Sequence, residues 1–288
     1  MDILSGFAPL VDRYDGFILD LWGVIHDGLS PYPGAVETLA RLQAAGKRVG
    51  LLSNAPRRAW AVREQTQKIG IDPELYNVVL TSGEITRRLL DERNDPFFAA
   101  LGPRVYHLGP DRDRSVLEGL EARYTKVASP AEADFVLATD YFDVTSDPAA
   151  SDAWLCACHA RALPMVCANP DFEVVRRDGS RIYCGGMLAK RYEALGGQAC
   201  WIGKPHKVVY PPMLDLLGTP AEKTLCVGDA LRTDIVGATG AGMDGCWVLG
   251  GIHAEALAAS PLGVEAAARA AAAEAGLAPV AAVPAFVW

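Results

Sequence analysis

Four short apolar runs constrain what this chain can become: "GFILD" ending at Asp20, "RVGLLSN" ending at Ser53 and Asn54, "TLCVGD" ending at Asp229, and "GCWVLGG" ending at Gly251. A continuous apolar run of this length has no wet face. It suits a parallel strand covered by helices on both sides. Between the first two runs lies "PGAVETLARLQAAGK", with apolar Val36, Leu39 and Ala40 and a stop at Gly46, which predicts an amphipathic helix with a C-terminal glycine. Strand, helix, strand implies a right-handed crossover and a doubly wound parallel sheet. In such α/β sheets ligands sit beyond the carboxyl ends of the strands, and three of the four runs put polar, chemically useful side chains there.

The two halves of the pattern lie near 15–77 and 200–252. Between them run further strand-like segments, "RVYHLG", "ADFVLATD" and "MVCAN", alternating with helical stretches. The expected organisation is a discontinuous core domain, residues 1–80 and 200–288, with an α/β cap domain inserted at 81–199. The alanine-rich tail, "EALAASPLGVEAAARAAAAEAGLAPVAAVPAFVW", reads as helix followed by an apolar coda that serves packing or contact with a second copy. "GATGAG" at 237–242 does not follow a strand as a dinucleotide fingerprint must, so it reads as a close-packed helix-to-strand turn.

Charge and cysteine usage exclude several function classes. A formal net charge of −8 argues against a nucleic-acid surface or an anionic-membrane anchor. The N-terminal segment lacks the basic and apolar regions of a secretory signal, and no apolar stretch is long enough to span a bilayer. Seven cysteines, an odd number without framework spacing, suit a reducing, cytoplasmic compartment. "CACH" at 156–159 lacks a second cluster at metal-ligand spacing, so its thiols read as small buried side chains on a helix.

Asp20 alone is an ordinary strand-end aspartate; its company matters. "GDALRTD" supplies Asp229 at a strand end and Asp234 in the following turn, with a turn aspartate and a helix cap as the bland alternatives. Carboxylates converging on one loop layer repel one another unless a cation joins them. A hard ion such as Mg²⁺, held by one or two carboxylates, waters and a phosphate, answers that need. Ser53 and Asn54 offer donors to phosphoryl oxygens, and Lys204 in "WIGKPHK" offers a neutralising charge.

In this order the motifs "DLWGV", "LLSN", "GKP" and "GDALRTD" resemble those of the haloacid dehalogenase superfamily. The long insertion, with "CANPD" at 167–171 and "GGMLAKRYEALGG" at 185–197, is similar to the C2 cap of its type IIA, NagD-like phosphatases. The resemblance implies an aspartyl-phosphate mechanism on a small phosphorylated metabolite, with Asp20 as nucleophile and Ser53 and Lys204 steadying the transferring group. It implies Mg²⁺ held by Asp20, Asp229 and the backbone carbonyl of Trp22, with Asp234 in support. Asn54 would shape its loop toward the substrate, and Asn169 and Asp171 would face the substrate from the cap, unless "NPD" is an ordinary turn.

The departure is Trp22, where such phosphatases carry a second aspartate as general acid and base. Its backbone carbonyl still suits a metal, but its side chain cannot carry the proton. Three outcomes follow. The chain is a phosphatase for good leaving groups, with His26 or Asp27 as substitute donors; or a metal-independent dehalogenase; or a phosphate-ligand binder on a preserved scaffold. The retained Asp229 and Asp234 speak against the second.

Overall fold

The computed structural model describes residues 1–288 except Arg177. In chain order its strands are β1 (Asp2–Ile3), β2 (Gly16–Leu19), β3 (Arg48–Ser53), β4 (Val78–Thr81), β5 (Arg104–Leu108), β6 (Thr125–Val127) and β7 (Phe135–Ala138), followed by β8 (Met165–Cys167), β9 (Glu173–Val175), β10 (Arg181–Tyr183), β11 (Ala199–Trp201), β12 (Thr224–Gly228), β13 (Asp244–Val248) and β14 (Ala281–Val283). Seven of them form one sheet in the order β1-β14-β13-β12-β2-β3-β4, with every neighbouring pair parallel. Five more form a second parallel sheet, β11-β8-β7-β5-β6. The remaining two, β9 and β10, pair antiparallel as a hairpin.

The apolar runs behave as their composition requires. All four residues of β2 are buried, and alternate ones serve opposite faces of the sheet. Phe17 and Leu19 join a cluster with Leu39, Leu42 and Val49, while Ile18 joins one with Leu52, Tyr210, Met213 and Cys226. The helix expected between the first two runs spans Ala35–Ala44 and buries Leu39 and Leu42. The chain then turns through Gly46 at φ 70°, a conformation that costs an L side chain energy and glycine little. The doubly wound core with an inserted α/β cap is therefore the architecture observed, and the chain crosses between its two sheets after β4 and again after β11.

The apolar coda packs into the core sheet as β14, inserted in parallel between β1 and β13, with Phe286 packed on Phe7; two other local readings need correction. The tail helix itself is present at Val264–Glu274 and buries Ala267, Ala268 and Ala272. "GCWVLGG" stops being a strand at Val248, so Gly250 and Gly251 belong to the loop beyond it. In "CACH", Cys158 is buried on the helix Asp152–Ala160 but Cys156 is exposed. Around "GATGAG" the close packing is real, since a Cβ at Gly237 would fall 1.6 Å from the Tyr210 hydroxyl. No helix among the described residues is long and apolar enough to cross a membrane.

Candidate active site

The loops beyond β2, β3 and β12 converge, and with them the side chains that the sequence singles out. One oxygen each from Asp20, Asp229 and Asp234 lies within 4.8 Å of the others. Lys204 Nζ reaches Asp20 Oδ1 at 2.5 Å and Asp234 Oδ1 at 2.8 Å, although 184 residues separate Lys204 from Asp20. The three aspartates are held from behind. The Asp20 backbone N–H donates to Val227 O of the neighbouring strand, which fixes where β2 ends. Asp234 Oδ2 accepts from Ala230 N at 3.1 Å, and the turn Leu231–Ile235 is wound wide, as a π-helix. Asp229 Oδ2 accepts from Ile252 N at 2.7 Å, and its carbonyl accepts from the Trp247 indole at 2.9 Å.

Two glycines make room for this carboxylate. A Cβ at Gly23 would lie 2.0 Å from Asp229 Oδ2, and one at Gly251 would lie 2.1 Å from it. Gly23 also has φ 82°, so its position excludes a side chain twice over. The backbone is thus shaped around a carboxylate aimed at the cluster.

The electrostatics point the same way. Burial pushes the Asp20 carboxyl up to about 7 despite the pull of Lys204, with Asp234 and Asp171 adding repulsion. Burial, then Asp20 and Asp234, drives Asp229 well above the usual carboxylate range. Lys204 loses solvation too, yet Asp20, Asp234 and Asp171 together hold its ammonium well above its ordinary value. One lysine facing this many acids leaves the layer short of positive charge. An all-oxygen donor set with that deficit fits a hard divalent cation.

Ser53 Oγ accepts from Ala55 N at 3.1 Å and lines the adjoining cavity. Asn54 works as a clasp: its Oδ1 accepts from Lys204 N at 2.7 Å, and its Nδ2 donates to Asp171 Oδ1 at 2.9 Å and to Lys204 O at 3.3 Å. Asn169 is buried, and its Oδ1 accepts from Asp171 N at 3.2 Å, as in an Asx turn. Asp171 faces both the cavity and the space beside Asp20, and burial raises its carboxyl above the ordinary range. His26 and Asp27 do not look like proton donors. His26 Nδ1 accepts from Gly28 N, and burial pulls its imidazole down to about 4. Asp27 Oδ1 accepts from Leu29 N and Ser30 N, the bland turn reading.

Trp22 stands between core and cap. Its indole N–H donates to Val175 O of β9 at 2.8 Å, and its ring lies so close to Gly28 that a Cβ there would fall 2.4 Å from it. Arg232 makes a second tie: its guanidinium donates to Pro170 O at 2.8 Å and stacks 3.8 Å over the Phe172 ring. Sequence reasoning missed this cap hairpin, although "EVVRRDGSRIY" carries an Asp-Gly pair between strand-forming residues, with Gly179 at φ 80°. It also missed Arg57, Arg112, Asp113 and Asp140, which line the same cavity of about 320 Å³ as Ser53, Trp22 and Asp171. The doubled arginine after "LLSN" was the one cue available for them.

Comparison with known proteins agrees with this geometry. Residues 17–123 match the haloacid dehalogenase-like hydrolase family, and residues 201–278 match a HAD-hydrolase-like family. The chain is 31% identical to chronophin from Bos taurus over 261 residues, covering 86% of this chain and 85% of that protein. It is 26% identical to ribonucleotide monophosphatase NagD from Escherichia coli K12, covering 82% and 87%. Among solved structures, a haloacid dehalogenase-like hydrolase from Brucella suis superposes with a TM-score of 0.83 at 31% identity, covering 99% of this chain and all of that one. On these grounds, and on four motifs meeting at one strand-end layer, the chain belongs to the haloacid dehalogenase superfamily, in its NagD-like type IIA branch.

Proposed function

We propose that the protein is a Mg²⁺-dependent phosphatase of small phosphorylated metabolites, working through an aspartyl-phosphate on Asp20. The observation that carries this reading is the bridge of Lys204 Nζ to both Asp20 and Asp234 beside the oxygen cluster of Asp20, Asp229 and Asp234. An Asp20 oxygen forms a bond to phosphorus while the ester P–O bond breaks, and water then releases phosphate from Asp20. Lys204 favours the ionised form of Asp20 against the effect of burial and faces the phosphoryl oxygens; the Ser53 hydroxyl donates to one of them. Mg²⁺ held by Asp20, Asp229 and the Trp22 carbonyl, with Asp234 supporting, would supply the positive charge that this layer lacks. Asn54, Asn169 and Asp171 orient the substrate side of the pocket. The division into a core of residues 1–80 and 200–288 and a cap of 81–199 follows the same reading, with the cap closing over the leaving group.

In this reading Trp22 takes the place of the general acid and base and contributes shape and a tether instead. The leaving oxygen then draws its proton from solvent, which favours good leaving groups. A purified sample assayed with Mg²⁺ against aryl and acyl phosphates, beside Asp20→Asn, tests the proposal. Turnover in the parent and none in the variant is the expected result. Equal residual rates would refute the aspartyl-phosphate. A second reading, a phosphate-ligand binder, is favoured by the Trp22–Val175 hydrogen bond, which holds the cap down over the site. Tight phosphate binding without turnover of any ester would select it.

A further inference from the structure

Within the same cavity, away from the metal-binding carboxylates, lies a second charged group that phosphoryl transfer does not use. Asp113 is 1% exposed, and among the described residues neither of its carboxylate oxygens has a hydrogen-bond partner. Its Oδ1 lies 3.7 Å from Arg57 Nε and 3.6 Å from Arg112 Nε, close enough for charge attraction and too far for a hydrogen bond. Arg112 also reaches toward Asp140 Oδ2 at 3.5 Å. The four come from different places: Arg57 from the loop after β3, Arg112 and Asp113 from the 3₁₀ turn Asp111–Leu117 after β5, and Asp140 from just beyond β7. Burial pushes Asp113 up to about 6 and Asp140 up to about 7, so neither carboxylate is well solvated where it stands. An unsatisfied buried carboxylate is costly, and a cavity it lines is where its missing donors would enter.

We infer that Asp113, Asp140, Arg57 and Arg112 form the leaving-group subsite, and that it takes a neutral, hydroxyl-bearing group of sugar or polyol size. A hydroxyl can donate to Asp113 and accept from Arg57 or Arg112 at once, filling a gap that the protein's own groups leave open. The cluster holds two carboxylates and two guanidiniums, so an added charge of either sign is opposed by as many like charges as it is attracted by opposite ones, whereas a neutral hydroxyl group can bond to both without that conflict. An all-carbon group would leave Asp113 buried and unpaired. The cavity also has room for such a group. This inference rests on the phosphatase reading for where the phosphate sits, but not on turnover.

The test compares glucose 6-phosphate with n-hexyl phosphate, two primary alkyl esters that differ in hydroxyl content. The parent protein should prefer glucose 6-phosphate in kcat/KM by about tenfold or more. Asp113→Asn should lower that preference about tenfold. Arg112→Gln, at a half-exposed side chain, should act in the same direction and serves if Asp113→Asn does not fold. An unaltered preference in the folded variants would overturn the subsite. So would a parent that favours phosphoglycolate or phosphoserine over glucose 6-phosphate. Calorimetry on the Asp20→Asn protein gives an arm independent of chemistry: adding Asp113→Asn should weaken glucose 6-phosphate about tenfold and inorganic phosphate not at all. If no ester is turned over, the phosphatase reading fails while this binding arm still decides the subsite.

Discussion

The indole N–H of Trp22 meets the carbonyl of Val175 at 2.8 Å, so the residue two places after Asp20 grips a cap strand 153 residues away. That bond gives Trp22 a job distinct from proton transfer. Trp22→Phe keeps the ring against Gly28 and removes the donor. Its KM for an aryl phosphate should rise about fivefold, the value of one hydrogen bond, with kcat little changed. Trp22→Asp should instead raise kcat for alkyl phosphates about a hundredfold and for p-nitrophenyl phosphate much less, because only the poorer leaving group needs the acid. Steady-state kinetics on both esters reads the contrast; equal gains on both would count against proton donation.

Lys204 answers to Asp20 and Asp234 from a buried position. Lys204→Met should leave those carboxylates without their cation and cost about 3–5 kcal/mol of folding stability in metal-free buffer. Added Mg²⁺ should restore part of that loss and should raise the stability of the parent less. Urea unfolding with EDTA and with Mg²⁺ measures both. A variant as stable as the parent without metal would mean that the acidic cluster bears no strain.

Gly251 sits where a methyl group would press on Asp229 Oδ2. Gly251→Ala should displace that carboxylate and weaken Mg²⁺ binding about tenfold to a hundredfold, with the fold intact by circular dichroism. Isothermal titration with Mg²⁺ checks it.

The pH dependence of stability should report Asp113. Its folded value, about 6, lies above the unfolded value near 3.8, so the folded state holds this proton more tightly. The stability it contributes is present below about pH 4 and is lost as pH rises through 6. Asp113→Asn removes that loss. The variant should match the parent at pH 4 and exceed it at pH 8 by about 3 kcal/mol, 2.2 pH units at 1.36 kcal/mol each. Urea midpoints at the two pH values decide this. A residue that costs stability while lining a cavity is the pattern expected of a ligand contact.

What could be read in the sequence was what is local to a strand end. The position of Asp20 after "GFIL", of Ser53 after "RVGLL" and of Asp229 after "TLCVG" follows from apolar runs that must be buried and polar residues that must not be, and the structure brings these residues to one layer. Lys204 and Asp234 needed motif order as well. The grouping of Arg57 with Asp113 and Asp140 was invisible, because nothing in the neighbourhood of each residue encodes which loop of the other sheet will face it. β14 escaped for a different reason: "AAV" has little strand preference, and its burial comes from β1 and β13 on either side. The partner of Trp22 was hidden by distance along the chain.

Asn54 stands at both places where the chain passes between the two sheets. Its carbonyl accepts from Ser82 Oγ at 2.7 Å, where the chain departs, and its side chain holds the Lys204 backbone, where the chain returns. The same side chain reaches Asp171 of the cap, so one residue fixes the departing strand end, the returning backbone and a carboxylate above the site together. The Lys204 ammonium that meets Asp20 is therefore set in place by its own backbone's attachment to the core loop.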